Sequence, residues 1–278
     1  MIKKIVQRKK SNTIFQQTKD IELSIQFSLD GFSFCVTNAT SKKDLFFSEY
    51  VFEETQNNPE LLLEKIESIF KNDTSLQHEF TSVLVIHQNN LSTLVPNKYF
   101  SEKNLSDYLN FNIKTLATDL IAFDDINNLE AKNVYVPYVN INNYLFQNFG
   151  EFEYKHHLSI LIEKLLQIKN TEATTMFVNV SKNNFDIVVL KNQKLILSNT
   201  FAFHTKEDFI YYILFTAEQL QLNTEELKLQ FIGDIEEASE IYKITYQYIR
   251  NVSFLESKNS LFNDFKVSKH SNFILLGS

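Results

Sequence analysis

Residues 23–36, LSIQFSLDGFSFCV, alternate apolar and small polar positions on both sides of an Asp-Gly pair. Period-two alternation marks strands with one buried face, and Asp-Gly favours a two-residue turn, so the run predicts a β-hairpin. A second run of the same kind lies 178 − 25 = 153 positions later. Set against IQFSLDGFSFCV, the sequence VNVSKNNFDIVV matches Ile25 to Val178, Ser28 to Ser181, Phe32 to Phe185 and Val36 to Val189. It also puts Asn183-Asn184 against the turn Asp30-Gly31. The elements that follow match as well. LFFSEYVF and LILSNTFAF read as third strands, PELLLEKIESIF and TKEDFIYYILFTAEQL as helices, SVLVIHQ and LKLQFIG as short strands. Pro59 suits an opening helical turn, Leu62, Ile66 and Ile69 share one stripe, and Thr205 with Asp208 makes a capping pair.

Strand, strand, strand, helix, strand therefore occurs twice. Three antiparallel strands followed by a helical crossover imply a mixed α/β sheet with helices packed against it. Between the copies, SEKNLSDYLNF and NINNYLFQNF read as helices and NVYVPYVN as a strand, while HHLSILIEKLLQI is a helix leading into the second copy. After the second copy, EEASEIYKITYQYI reads as a helix, NVSFL as a strand and FILLG as a last strand. The chain divides accordingly into a basic N-terminal tail (1–20), a first lobe (21–154, with an insertion at about 90–150) and a second lobe (155–278).

Composition narrows the function classes. The 278 residues include 26 Phe and 12 Tyr, enough for a substantial core. A net charge of −7 argues against nucleic acid as the main partner, since phosphate recognition wants a basic face. The start is the exception: Lys3, Lys4, Arg8, Lys9 and Lys10 cluster there, as a solvated tail or as a contact for an acidic partner or membrane surface. No apolar run approaches the ~20 residues that cross a bilayer. The single cysteine, Cys35, sits in a strand pattern, so one chain can hold neither a disulfide nor a thiolate metal cluster. A cytoplasmic setting is the expectation. Only four glycines occur, where average usage gives about twenty, and loops that wrap phosphate rely on glycine.

The duplicated order resembles the actin-like ATPase (ribonuclease H-like) superfamily of actin, sugar kinases and heat-shock ATPases, over about residues 21–255. Among its branches the chain is most similar to the pilus-assembly and type II secretion members, through VLVIHQNNLSTLVPNKYF. More closely, LSIQFSLDGFSF, LVPNKYF, NTFAFHTKEDFIYYILFTAEQLQL and FIGDI resemble an uncharacterised Bacteroidota family, number 3822 among domains of unknown function, which has no assigned activity.

The superfamily resemblance implies a nucleotide cleft with an acid and a glycine on the first strand of each hairpin. The acids hold Mg²⁺, a hard ion that seeks carboxylate oxygens; the glycines let backbone amides meet phosphate. By position the first pair is Gln26 and Ser28, and the second is Asn179 and Ser181. Paired glycines expected after the fourth strand of the second half become Gly233 and Asp234, and the Asp234 charge repels phosphate. The reading is a degenerate, non-catalytic actin-like protein without cofactor or metal, serving as a scaffold or protein-binding module with a protein partner or as a homodimer. Two alternatives stand beside it: a nucleotide sensor or ATPase with an altered cleft, and a membrane-peripheral assembly factor.

Asp30, at the first turn, and Asp186, on the return strand of the second hairpin, are the nearby carboxylates available to replace the missing acids; the favoured readings are a turn residue for Asp30 and a solvent-facing strand position for Asp186. His87 and Gln88 close a core strand at its C-terminal end, where ligands collect in open sheets; they are cleft residues or ordinary polar residues leaving a strand. His156-His157 read as helix-end residues and Asp124-Asp125 as part of a loop. On the helix FIYYILF, Phe209, Ile213, Thr216 and Leu220 share a face while Tyr211 and Phe215 point elsewhere, either into a neighbouring helix or as an exposed aromatic patch.

Overall fold

The basic start forms a strand, β1 (Ile2–Lys9), rather than a tail. The computed structural model describes residues 2–9, 20–111, 113–116, 118–168, 174–263 and 268–277; Lys10 and the remainder of the sequence-drawn tail up to residue 19 lie outside them. After β1 come β2 (Ile21–Ser28), β3 (Gly31–Asn38), β4 (Asp44–Phe52), α1 (Pro59–Asn72) and β5 (Ser82–His87). β1 runs antiparallel to β4, with Ile2 opposite Phe52 and Lys9 opposite Phe46. IKKIVQRK carries no period-two stripe, so its pattern does not announce a strand. The open edge of β4 supplies the template instead.

The chain divides into two compact units, Met1–Asp125 with Ala131–Ser159, and Ile126–Glu130 with Ile160–Ser278. The first continues through β6 (Ser92–Pro96), α2 (Leu105–Asn110), β7 (Ala122–Asp125), β8 (Ala131–Tyr135), α3 (Val139–Phe149), β9 (Glu153–His156) and the start of α4 (His157–Leu166). Its main sheet has the order β1-β4-β3-β2-β5-β9. β2, β3 and β4 are antiparallel, while β5 lies parallel to β2 and β9 parallel to β5. The sequence-drawn insertion holds a separate sheet, β6-β8-β7, over a small core of Val95, Leu109, Val134 and Val136. The strand that follows β5, β6, pairs antiparallel with β8.

The second unit contains β10 (Thr175–Val180), β11 (Asn184–Lys191), β12 (Lys194–Ala202), α5 (Lys206–Gln219), β13 (Lys228–Gly233), α6 (Glu240–Tyr248), β14 (Asn251–Phe254) and α7 (Phe273–Leu276). Its sheet has the order β12-β11-β10-β13-β14, the arrangement of β4-β3-β2-β5-β9. Both units thus carry the same mixed sheet. FILLG forms α7 rather than a strand: so short an apolar run fits either element, and the Leu276 and Gly277 amides bond back to Asn272 and Phe273.

The hairpins keep the 153-residue shift pair by pair. Ile25 lies opposite Phe34, and Val178 opposite Ile187. Ser28 pairs with Gly31, so the first turn is Leu29-Asp30, one residue earlier than the Asp-Gly pattern suggests. The Ser181 amide bonds to Asn184 O, making the second turn Lys182-Asn183. Neither turn uses a positive φ; Asn192 and Gln193, between β11 and β12, do. Gly31 is required for a different reason, because a Cβ there would lie 2.7 Å from the Tyr50 carbonyl oxygen.

Each sheet buries one face against its helices. In the first unit Leu23, Ile25, Phe27, Phe32 and Phe34 meet Leu62, Ile66 and Ile69 of α1 and Ile141 and Leu145 of α3. Asn58 caps α1 by accepting from the Leu61 amide, with Pro59 in the first turn. In the second unit Val178, Phe185, Ile187 and Val189 meet Phe209, Ile213 and Ala217 of α5. Thr205 and Asp208 complete the capping box expected from the sequence.

Candidate functional site

Strand alternation decides where the site positions fall. On β2, Ile21, Leu23, Ile25 and Phe27 are buried in the core, which turns Ser24, Gln26 and Ser28 to the other, half-buried face. Gln26 there donates from Nε2 to Gln88 Oε1 at 2.6 Å. Its own Oε1 is buried without a hydrogen-bond partner among the described residues. Ser28 Oγ accepts from the Asp30 amide at 3.1 Å, and Asp30 accepts from Thr55 Oγ1. Asp30 is therefore a turn residue. Two of the candidates, Gln26 and Gln88, stand together.

His87 points the other way, into the core. Its Nδ1 accepts from the Tyr138 amide at 3.1 Å and its Nε2 faces Asn142 Oδ1 at 2.9 Å, which fixes the neutral tautomer with Nε2–H donating. Burial lowers its pKa to about 4. With both nitrogens engaged and Phe27 packed edge-on at 4.8 Å, His87 ties β5 to the start of α3.

In the second unit Asn179 is buried on β10 and donates from Nδ2 to Asp186 Oδ2 at 2.9 Å. Asp186 Oδ1 accepts from Thr200 Oγ1 at 2.6 Å. Asp186 is 3% exposed, so it is not the solvent-facing residue that alternation along β11 suggests. That strand is covered on both faces, and alternation cannot tell its sides apart. The 153-residue shift would have drawn attention to it, because Asp186 stands opposite Asn179 as Ser33 stands opposite Gln26. Ser181 opens the turn. Gly233 has φ +87, and a Cβ would sit 2.2 Å from Val180 O, so only glycine fits. Asp234, exposed beyond it, donates its amide to Val180 O at 2.8 Å.

A second polar constellation lies inside the first unit, where the sequence pattern suggests a loop and a helix end. Asp124 is on β7 and His156 ends β9, both buried. Asp124 Oδ2 accepts from Ser159 Oγ at 2.6 Å and from the His156 amide at 2.8 Å, while Oδ1 accepts from Tyr135 at 3.0 Å. Desolvation raises the Asp124 pKa against the pull of these donors and lowers that of His156. Acid, hydroxyl and imidazole meet here, but not in the order of a nucleophile and its base. The serine donates to the carboxylate directly; the imidazole Nδ1 faces the Asn133 amide at 3.1 Å and Nε2 faces Asn89 O at 3.1 Å. The cluster is structural, joining β7, β8, β9 and α4. Exposed Asp125 pairs with Lys132.

On α5, Phe209, Ile213 and Thr216 are buried, with Leu220 packed beside them. Tyr211 and Phe215, 59% and 43% exposed, stack on each other at 5.9 Å.

This architecture is the actin-like ATPase fold. It matches a crystal structure from Bacteroides thetaiotaomicron, a protein with actin-like ATPase fold and unknown function, with a TM-score of 0.81 at 20% identity over 94% of this chain and 96% of that one. It is also similar to a chain of the PilM-PilN type IV pilus biogenesis complex, with a TM-score of 0.53 at 10% identity over 84% and 88% of the two chains. The chain belongs to the family described as protein of unknown function (DUF3822), which its residues 10–252 match. No curated protein matches the sequence.

Proposed function

We propose that this chain is a non-catalytic protein-binding module or scaffold built on an actin-like body, working in the cytoplasm. One observation carries the reading: Gln26 and Asn179, at the positions where the superfamily resemblance calls for metal-holding carboxylates, are amides, and the side-chain nitrogen of each donates to a neighbour inside its own unit. An amide oxygen is neutral, so it lacks the charge that draws a strongly hydrated Mg²⁺ out of water. The exposed Tyr211–Phe215 pair on α5 supports a protein partner, since aromatic rings are enriched in interfaces. PilM, of similar fold, is part of a two-protein complex.

Asp186 favours a second reading, a nucleotide site with altered metal anchors, because it is a carboxylate 2.9 Å from Asn179. Against it, both Asp186 oxygens accept side-chain hydrogen bonds. The membrane-peripheral reading has less support, because Ile2–Lys9 is engaged along β4; no described helix is long and apolar enough to cross a membrane. The test is phosphate release from ATP with Mg²⁺ by the full chain, beside its Asp186→Asn variant. The scaffold reading expects release at the buffer level from both. Magnesium-dependent turnover lost in the variant would replace it with the altered-site reading.

A further inference from the structure

The four outer edges of the two main sheets differ in what guards them. β9 and β14 are only four residues long, and β1 is a basic strand. β12 has nine residues, no proline, and no charge between Leu195 and Ala202. Natural edges are blunted by shortness, charge, proline or bulges; here a single bulge, where Leu197 and Leu195 follow each other opposite Val189 and Leu190, disturbs only the Lys194 end. In the first unit the equivalent edge, β4, carries an antiparallel strand. Among the described residues, none pairs with the outer side of β12.

The helix beside this edge is aromatic on the same side. Tyr212 stacks on Phe201 of β12 at 4.7 Å. At about 100° per residue, Phe215 and then Tyr211 follow Tyr212 around the helix away from the buried Phe209–Ile213 stripe. The exposed rings and the open edge therefore form one continuous surface within this unit.

We infer that this surface, the outer edge of β12 flanked by Tyr211, Tyr212 and Phe215, binds a second copy of this chain, with the two β12 strands antiparallel about Asn199. Side-chain complementarity selects that partner. A two-fold axis at Asn199 puts Leu197 opposite Phe201, Ser198 opposite Thr200 and Asn199 opposite itself. These are aliphatic–aromatic and hydroxyl pairs of the kind that stabilise antiparallel sheets, and no like charges meet. Ser198 Oγ, buried without a partner among the described residues, gains a neighbouring hydroxyl. The small seam and the half-exposed rings put the interface at the low end of specific ones, near ~1,000 Å², as suits a reversible dimer.

This inference goes beyond the scaffold reading and does not rest on it, since loss of the dimer would leave the two amides where they are. The experiment is sedimentation velocity of the full chain from micromolar to submillimolar concentration, repeated on Asn199→Lys, with the Asn199→Cys and Lys191→Cys variants oxidised in parallel. Cys35 is buried and does not compete. The expected results are a concentration-dependent dimer and a dissociation constant raised about tenfold or more by Asn199→Lys, with its urea midpoint unchanged when read at a concentration where both chains are monomeric. Oxidation should give a covalent dimer of the Asn199→Cys variant and none of the Lys191→Cys variant. A chain monomeric throughout, a dimer indifferent to Asn199→Lys, or equal crosslinking of both cysteine variants would overturn the proposal.

Discussion

In the first unit β1 covers β4, and Gln26 looks across the β2–β3 pair at Ser33. In the second, β12 has no outer neighbour among the described residues, and Asn179 looks across β10–β11 at a buried aspartate. Strand order and hairpin register are nevertheless the same. The difference separates two kinds of constraint. The apolar face is held because each large side chain there fills space that nothing else fills. The other face also buries apolar side chains, Phe177, Val188 and Ile232 among them, but its polar groups are held by local hydrogen bonds, and Gln26–Gln88 and Asn179–Asp186–Thr200 satisfy them in unrelated ways.

The comparison breaks most severely at its shared core. Phe32→Ala and Phe185→Ala occupy matched positions 153 residues apart and are both 1% exposed, so each should lose about 3–5 kcal/mol in urea unfolding. A loss in one unit alone would contradict the equivalence. Gly233→Ala forces an L-residue to φ +87 and a Cβ onto the Val180 carbonyl, and should cost about 3 kcal/mol, combining backbone strain with displacement of β10. Gly31→Ala meets Tyr50 O at 2.7 Å without a positive φ and should cost less.

His87 gives the first unit its own pH dependence. Its pKa falls from 6.5 unfolded to about 4 folded, so below pH 6.5 the unfolded chain binds a proton that the folded chain does not. Stability is lost as pH drops from 6.5 towards 4, and at pH 5 this group accounts for about 2 kcal/mol. His87→Gln should flatten the stability–pH profile by one proton in that window, read from urea midpoints; an unchanged slope would show that the imidazole is charged in the fold. Smallest of all, Tyr211→Ser removes an exposed ring and should change stability by less than about 0.5 kcal/mol, while Phe209→Ala, two residues away, behaves as a core deletion.

Hairpins, helix caps and the twofold strand order were legible in the sequence, because alternation and capping chemistry are local. β1 was not, since its pairing depends on a partner edge about forty residues away. β7 and β9 are four residues each, too short for a periodic signal, and with them went the surroundings of Asp124 and His156. Gln26 and Asn179 could be located by position alone. Their bonding to Gln88 and Asp186 could not, because it depends on strands that meet only in the folded sheet.

The central claim is that neutral amides at Gln26 and Asn179 leave the protein without a grip on a metal–nucleotide pair. Isothermal titration of the full chain with ATP in excess Mg²⁺ addresses it directly. The account predicts no saturable heat in the micromolar range. Saturable micromolar binding that disappears when Mg²⁺ is chelated would contradict it.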